Sequence, residues 1–224
     1  MMAFWATRSK QDAADYWATR GAGYRGLLAS MLAPLAPFQS LLEIGSHSGP
    51  NLWAIRQQWP LVHLIGLEPS EACAKYGQCA AVAEALERLS PAERQAFDRR
   101  AASSGEVPSV GVDFFVGSAP SGLGVFTSID VVVSCFTLAY LSDQDLQATL
   151  AAVVATAKRG VLLVEPMATE TEPGGVVTDV RVPYTRHDYR GWFTAHAPTW
   201  HVDVLPFPGP QGLNRALRAR PVVS

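Results

Sequence analysis

The sequence predicts an α/β fold in which a mostly parallel β-sheet is covered by helices on both faces. Three observations support this prediction: short apolar runs alternate with helix-length segments, serine-based caps mark the helix starts, and 224 residues suffice for one sizeable core. Strands that alternate with helices form parallel sheets, because each helix carries the chain back to the end of the sheet where the previous strand began. We therefore expect one domain.

Helices and strands alternate through the first three quarters of the chain. Capping boxes begin at Ser9, Ser90 and Ser142, while Pro50 and Ser70 mark two further helix starts. Apolar runs bounded by glycine, proline or acidic residues mark the strands. The predicted helices span residues 9 to 21 or 23, 24–32, 50–60, 70–89, 91–100 and the segment after 142; the predicted strands span residues 41–44, 62–67, 113–116, 129–135 and 161–165.

The pattern changes after Pro166. A glycine-rich stretch at residues 173–175 precedes a predicted helix at 187–195. Two further runs, residues 200–205 and 213–220, are joined through residues 206–212 and predict paired antiparallel strands.

The complete prediction is a Rossmann-like three-layer sandwich: a mostly parallel sheet with N-terminal helices and an antiparallel C-terminal hairpin. We divide the single domain into a helical N-terminal lid at residues 1–38, a cofactor-binding core at residues 39–167, and a C-terminal part at residues 168–224 that carries a helix and the antiparallel strands.

Composition excludes several classes of function. The net charge of −2 provides no global positive field, so we expect no nucleic-acid partner. The most apolar segment, residues 129–141, is shorter than the roughly 20 residues that cross a bilayer, and the N-terminus lacks a signal-peptide pattern. We therefore expect a cytoplasmic protein without a membrane partner, as a monomer or a homodimer.

Cys73, Cys79 and Cys135 have no metal-ligand spacing, so we expect free thiols and no metal.

Two successive strand ends carry residues that suit a nucleotide-like ligand. Gly45 and Gly49 lie in the turn after the first strand, where glycine lets the backbone approach a ligand closely. The helix that begins at Pro50 offers free amides to the same ligand. Glu68 ends the next strand, where an acid can accept hydrogen bonds from both hydroxyls of a ribose. Either feature alone is weak evidence, but the pair favours a cofactor site.

Five segments between residues 41 and 167 resemble the ordered motifs of class I S-adenosylmethionine-dependent methyltransferases. They read LLEIGSHSGPNL, LIGLEPS, VDFFVGSAPSG, SIDVVVSCFTLAYL and GVLLVEPM. The resemblance implies that the chain binds S-adenosyl-L-methionine (SAM) and transfers its methyl group. The cofactor-binding residues that it implies are Glu43, Gly45, Ser46, His47, Gly49, Glu68, Pro69, Ser118, Ala119, Cys135 and Phe136.

These residues divide the cofactor between them. The glycine turn is expected to hold the methionine part, Glu68 the ribose, and the segment at Ser118 the adenine. Cys135 and Phe136 match positions that face the cofactor and the transferred methyl. Cys135 is better explained as a small buried apolar side chain than as a nucleophile. The sequence departs from the family pattern at His47, which replaces a glycine, and at Ser118, which replaces an acid.

The acceptor is expected to be a small or sugar-like molecule that is methylated on oxygen or nitrogen. The motifs of enzymes that methylate nucleobases are absent from the fourth strand segment. A hydroxyl acceptor needs a base, and the candidates are His187, Tyr140 and Glu165. Each has an alternative role: His187 can begin a surface helix, Tyr140 can cover the adenosine, and Glu165 can orient loop backbone.

The N-terminal segment carries aromatic and cationic residues ahead of the first strand. Trp17 and Arg20 could close over the cofactor, with the Arg20 guanidinium on its carboxylate, or could only pack the first helices onto the body. Two alternatives to the methyltransferase remain open at this point. One is a nicotinamide-dependent oxidoreductase, whose G-x-G-x-x-G fingerprint is not met at His47. The other is a degenerate cofactor-binding regulatory protein.

Overall fold

The fold is organised by one seven-stranded sheet in a computed structural model that describes residues 5–104, 110–168, 174–178, 182–208 and 215–222. The strands are β1 (Ser40–Ile44), β2 (His63–Glu68), β3 (Val112–Val116), β4 (Ile129–Cys135), β5 (Ala157–Val164), β6 (Gly175–Val177), β7 (Tyr184–Arg186), β8 (Trp200–Pro206) and β9 (Arg215–Pro221). The sheet has the order β3-β2-β1-β4-β5-β9-β8, in which β1 to β5 pair in parallel and β9 pairs antiparallel with both neighbours. The predicted α/β fold with an antiparallel C-terminal hairpin is confirmed.

Seven helices of the described residues surround the sheet. They are α1 (Lys10–Ala18), α2 (Gly23–Ser30), α3 (Pro50–Gln58), α4 (Glu71–Glu87), α5 (Pro91–Ser104), α6 (Asp143–Thr156) and α7 (Tyr189–His196). The predicted caps form: the hydroxyls of Ser9, Ser70 and Ser142 each accept a hydrogen bond from a backbone amide three residues later. The sequence-based starts of these helices are therefore correct.

The apolar core lies on both faces of the sheet. Alternate residues of a strand point to opposite faces, so Leu41 packs with α2 and α3 while Leu42 packs with α6 and α7. In β4 the same alternation separates Val131 from Val132, and both are fully buried. This arrangement is the expected three-layer sandwich.

The structure differs from the prediction mainly after β5. Strands β6 and β7 form a separate antiparallel pair that the sequence did not predict, since each has only three residues. Strand β5 begins at Ala157, four residues earlier than predicted. Helix α7 begins at Tyr189 because the Asp188 carboxylate accepts a hydrogen bond from the Gly191 amide.

Parts of the predicted loop at residues 103–108, of the glycine-rich stretch at 173–175 and of the hairpin connection at 206–212 lie outside the described residues, as do the first two residues of the predicted strand at 213–220. Within the part of the chain that is described, no helix combines the length and apolar character needed to cross a membrane.

Candidate functional site

A cavity of about 890 Å³ lies at the carboxyl ends of the central strands. Strands β1 and β4 are neighbours there, while the chain continues from β1 to one side and from β4 to the other. Such a reversal of strand order leaves a crevice where ligands bind in open α/β sheets. The predicted site residues that line the cavity are Gly45, His47, Glu68, Pro69, Ser118, Ala119, Cys135, Phe136 and Tyr140.

The glycine turn packs tightly against the loop that follows β4. Gly45 has a φ of +71°, and a Cβ atom at this position would collide with the side chain of Thr137. Gly49 has a φ of +82° and lies equally close to the Phe114 ring, but it does not line the cavity. Only glycine fits both positions, because a side chain would meet strained backbone and occupied space together.

His47 keeps the backbone conformation that a glycine would adopt in the turn. Its φ is +51°, and its ring packs at a tilt of 55° against Tyr16 of α1 with 4.5 Å between centroids. Burial lowers the pKa of His47 to about 4, so the ring is neutral at pH 7. His47 thus joins the turn to the N-terminal helix.

Glu68 faces the cavity with a buried carboxylate. One of its oxygens accepts a hydrogen bond from the His47 amide at 2.8 Å, and the other accepts one from the Ser70 amide at 2.9 Å. Burial raises the pKa of Glu68 to about 7, although these two hydrogen bonds oppose the rise. The carboxylate is therefore held in a fixed position at the cavity wall and has lone pairs left for a ligand.

Glu43 lies beneath the turn rather than on the cavity surface. Its carboxylate accepts a hydrogen bond from the Asn51 amide group at 2.6 Å, and the Asn51 oxygen accepts one from Arg25. Burial raises the pKa of Glu43 to about 8, and its second oxygen has no partner among the described residues. Ser46 is buried in the same way. Glu43 and Ser46 therefore do not line the cavity, and both support the turn from below.

Glu165 anchors the loop after β4 and does not face the cavity. It is fully buried, and its carboxylate accepts hydrogen bonds from the Ser134 hydroxyl at 2.7 Å and from the amide of Thr137 at 2.9 Å. The amides of Leu138 and Ala139 also donate to it. A carboxylate with both oxygens engaged in this way is a poor general base, because each acceptor site is occupied. The expectation of a catalytic Glu165 gives way to its alternative role in orienting the loop.

His187 lies apart from the cavity. It is 7% exposed, its Nδ1 lies 3.6 Å from the Asp143 carboxylate, and its Nε2 has no partner among the described residues. Burial lowers the pKa of His187, while Asp143 opposes the change. Tyr140 is the one candidate base that lines the cavity, and burial raises the pKa of its hydroxyl far above the ordinary value. Neither residue has the geometry of an established base.

The N-terminal segment covers the cavity, but with a different face from the one expected. Trp17 and Arg20 point away from it: the Arg20 guanidinium lies 3.5 Å from Glu84 of α4 and 5.2 Å from the Trp17 ring. The covering residues are Trp5, Arg8, Asp12, Asp15, Tyr16 and Thr19. Of these, Asp12, Asp15 and Tyr16 lie on α1 at the spacing of three and four residues that places side chains on one helix face.

Other lining residues also escaped the sequence reasoning. Thr137, Leu141, Val182 and Tyr184 line the cavity from the loop after β4 and from the β6–β7 region. The two non-glycine residues with left-handed backbone among the described ones, His47 and Phe136, both line it as well. Strained backbone of this kind concentrates at functional sites. Within the part of the chain that the structure describes, no group of three or more potential ligands could hold a metal ion.

Comparison with known proteins identifies the fold. No protein-family model and no curated protein matches the sequence. Human N-acetylserotonin methyltransferase, solved with SAM, is 14% identical with a TM-score of 0.59; the match covers 96% of this chain and 57% of that one. The chain therefore spans little more than half of the human protein.

Two bacterial structures match over more of their own length. The 1,6-didemethyltoxoflavin-N1-methyltransferase of Burkholderia thailandensis, solved with 1,6-didemethyltoxoflavin and S-adenosylhomocysteine, is 14% identical with a TM-score of 0.59, covering 95% of this chain and 84% of that one. An amino pentose methyltransferase from Micromonospora echinaspora, solved with SAM, is 15% identical with a TM-score of 0.59, covering 93% and 95%. The chain has the fold of class I SAM-dependent methyltransferases, which confirms the fold that the sequence resemblance implied.

Proposed function

We propose that this protein is a SAM-dependent methyltransferase that acts on a small-molecule acceptor. The observation that carries the proposal is the buried carboxylate of Glu68 beside the Gly45 turn, both facing one cavity at the point where strand order reverses. A ribose needs such an acceptor for its hydroxyls, and an amino-acid moiety needs the close backbone approach that Gly45 permits.

The residues present fit SAM. Glu68 would hold the ribose, the turn at Gly45 and His47 the methionine part, and Ser118 and Ala119 the adenine. Phe136 and Tyr140 bring aromatic rings to the same cavity, where they suit a sulfonium cation.

When bound, SAM supplies a methyl group that its positive sulfur already activates. A hydroxyl or amine acceptor would take this methyl group through its lone pair and would give its proton to water or to a base. The chain's task is then to align the reactants and keep solvent out. The loop anchored by Glu165 provides the alignment, because its hydrogen bonds to three successive amides fix Phe136 and Tyr140.

The N-terminal segment is the lid in this proposal. Asp12 and Tyr16 lie on the cavity side of α1, and the Tyr16 ring packs at a tilt against His47 of the turn. The Arg8 carbonyl accepts a hydrogen bond from the Ser70 hydroxyl, which places the segment beside Glu68 as well. Closure of this segment over the cofactor would exclude water from the reaction.

Isothermal titration calorimetry tests the proposal. S-adenosylhomocysteine should bind and NAD should not. Glu68→Ala should raise the dissociation constant of S-adenosylhomocysteine about 10- to 100-fold, because a hydrogen bond to a charged group contributes about 1.5–3 kcal/mol. The control is Glu71→Ala, which removes a neighbouring exposed carboxylate paired with Lys75. Absence of binding by folded wild-type protein at millimolar ligand would refute the cofactor assignment, and tight NAD binding would favour the oxidoreductase alternative.

A further inference from the structure

One part of the cavity is walled by four aromatic side chains from three separate segments. Phe136 and Tyr140 follow β4, Tyr184 belongs to β7, and Trp5 belongs to the N-terminal segment. Between ring centroids, Tyr140 lies 5.0 Å from Trp5 and 5.4 Å from Phe136, and Phe136 lies 5.4 Å from Tyr184. Neighbouring rings are inclined to each other by 53° to 75°, so the four rings form a contiguous tilted cluster and not one flat surface; we call this cluster the aromatic wall.

The part of the aromatic wall outside the N-terminal segment is held in place by packing and hydrogen bonds before any acceptor binds. Tyr140 and Tyr184 are 7% and 6% exposed, and they belong to a small buried cluster with Ala139. The loop that carries Phe136 and Tyr140 is pinned through the hydrogen bonds to Glu165. A surface that is already ordered loses little conformational entropy when a flat molecule binds to it.

The aromatic wall also lies next to the position expected for the reacting methyl. Phe136 is both a member of the wall and the position that the family resemblance assigns to the cofactor and its methyl group. The acidic side chains that line the cavity belong to α1 and to the end of β2, and the Asp12 carboxylate lies 3.4 Å from Arg8, whose guanidinium lies over the Trp5 ring. Leu141 and Val182 extend the wall with apolar surface.

This chemistry discriminates between acceptor classes. A sugar carries hydroxyls around its whole ring, and each one that is buried without a partner is costly. A planar aromatic molecule instead finds ring faces and ring edges, which attract its own π-system in tilted and stacked arrangements.

We propose that the acceptor is a planar aromatic molecule that stacks on the aromatic wall. The inference rests on the proposed function, since the wall becomes an acceptor site only if the remainder of the cavity holds SAM. It narrows the acceptor from small molecules in general and separates it from the sugar class.

Calorimetry on the full chain saturated with S-adenosylhomocysteine tests this proposal, with 2-naphthol as the aromatic probe and D-glucosamine as the sugar probe. We expect 2-naphthol to bind and glucosamine not to bind. Tyr184→Leu keeps apolar volume but removes a ring, so it should raise the dissociation constant of 2-naphthol about 3- to 10-fold. The matched control, Tyr184→Phe, keeps the ring and should bind 2-naphthol as the wild type does.

The outcomes separate the two proposals. If S-adenosylhomocysteine itself fails to bind, the proposed function fails and the acceptor inference falls with it. If S-adenosylhomocysteine binds but 2-naphthol does not, or if glucosamine binds instead, the acceptor inference alone is overturned. Equal 2-naphthol affinities for Tyr184→Leu and Tyr184→Phe would also overturn it, because the ring would then contribute nothing; the wild-type selectivity remains decisive even if one variant fails to fold.

Discussion

Substitution of Gly77 tests how closely the glycine turn is packed from below. The Phe114 ring lies in a socket formed by three glycines: Gly49 of the turn, Gly66 of β2 and Gly77 of α4. A Cβ atom at Gly77 would lie 2.6 Å from Cζ and 2.7 Å from Cε1 of Phe114, and 3.0 Å from the Ser48 carbonyl oxygen. The first two distances require the ring to move, and the third requires the turn to move.

Two opposing effects set the magnitude for Gly77→Ala. Replacing a glycine within a helix by alanine stabilises it by about 1 kcal/mol through backbone entropy. Overpacking a tight site costs about 1–3 kcal/mol. We therefore expect Gly77→Ala to lower the free energy of unfolding by up to about 2 kcal/mol, whereas Gly26→Ala in α2, where nothing lies within 4 Å of the new Cβ, should raise it by about 0.5–1 kcal/mol.

Urea unfolding followed by circular dichroism measures both variants. A double-mutant cycle with Phe114→Leu should reduce the cost of Gly77→Ala, because leucine removes the ring atoms that the methyl group meets. The affinity for S-adenosylhomocysteine should also fall in Gly77→Ala, since the turn has to shift. If Gly77→Ala stabilises the protein as much as Gly26→Ala does, the socket around Phe114 has room for a methyl group and the expected overpacking is refuted.

Two further predictions concern the groups beneath and above the turn. Because burial raises the pKa of Glu43 to about 8, the folded chain keeps a proton that the unfolded chain releases near pH 4.5, so its contribution to stability falls as pH rises from 5 to 8. In urea titrations at several pH values, the free energy of unfolding should fall between pH 5 and pH 8 by on the order of 2–4 kcal/mol less in Glu43→Gln than in the wild type. The prediction is wrong if the difference in stability between the two proteins is the same at every pH. Tyr16→Leu should weaken S-adenosylhomocysteine binding about 3- to 10-fold in calorimetry by removing the ring over His47, whereas Arg20→Ala should leave it unchanged; the opposite order would restore Arg20 to the site.

The central strands and their ends could be predicted because local chemistry determines them. The apolar run before Gly45 can only be a buried strand at its length, and Glu68 follows from the same reasoning one strand later. Helix starts at Ser9, Ser70 and Ser142 follow from hydroxyls that accept hydrogen bonds from the first free amides. These features depend on neighbours in sequence.

The composition of the lid face could not be predicted in the same way. Tyr16 and Trp17 are adjacent aromatic residues, and a helix turns by about 100° between them, so only one of the two faces the cavity. Composition does not say which, because both sides of α1 pack on protein: one against the turn, the other against α4. The orientation is set by tertiary contacts such as the Arg20–Glu84 pair.

Glu165 shows how the two halves of the cavity are connected. The sequence left two roles open for it, a base or a residue that orients loop backbone, because the two cannot be separated until the partners of the carboxylate are known; here the partners are the amides of the loop at residues 137–139. That loop places Phe136 and Tyr140 in the aromatic wall, while its Thr137 side chain fills the space against Gly45. The glycine turn and the aromatic wall are thus packed against one segment, and a single buried carboxylate fixes that segment. In the proposed function, cofactor and acceptor would be aligned by the same anchor, which is what in-line transfer of a methyl group requires of a protein that needs no covalent chemistry of its own.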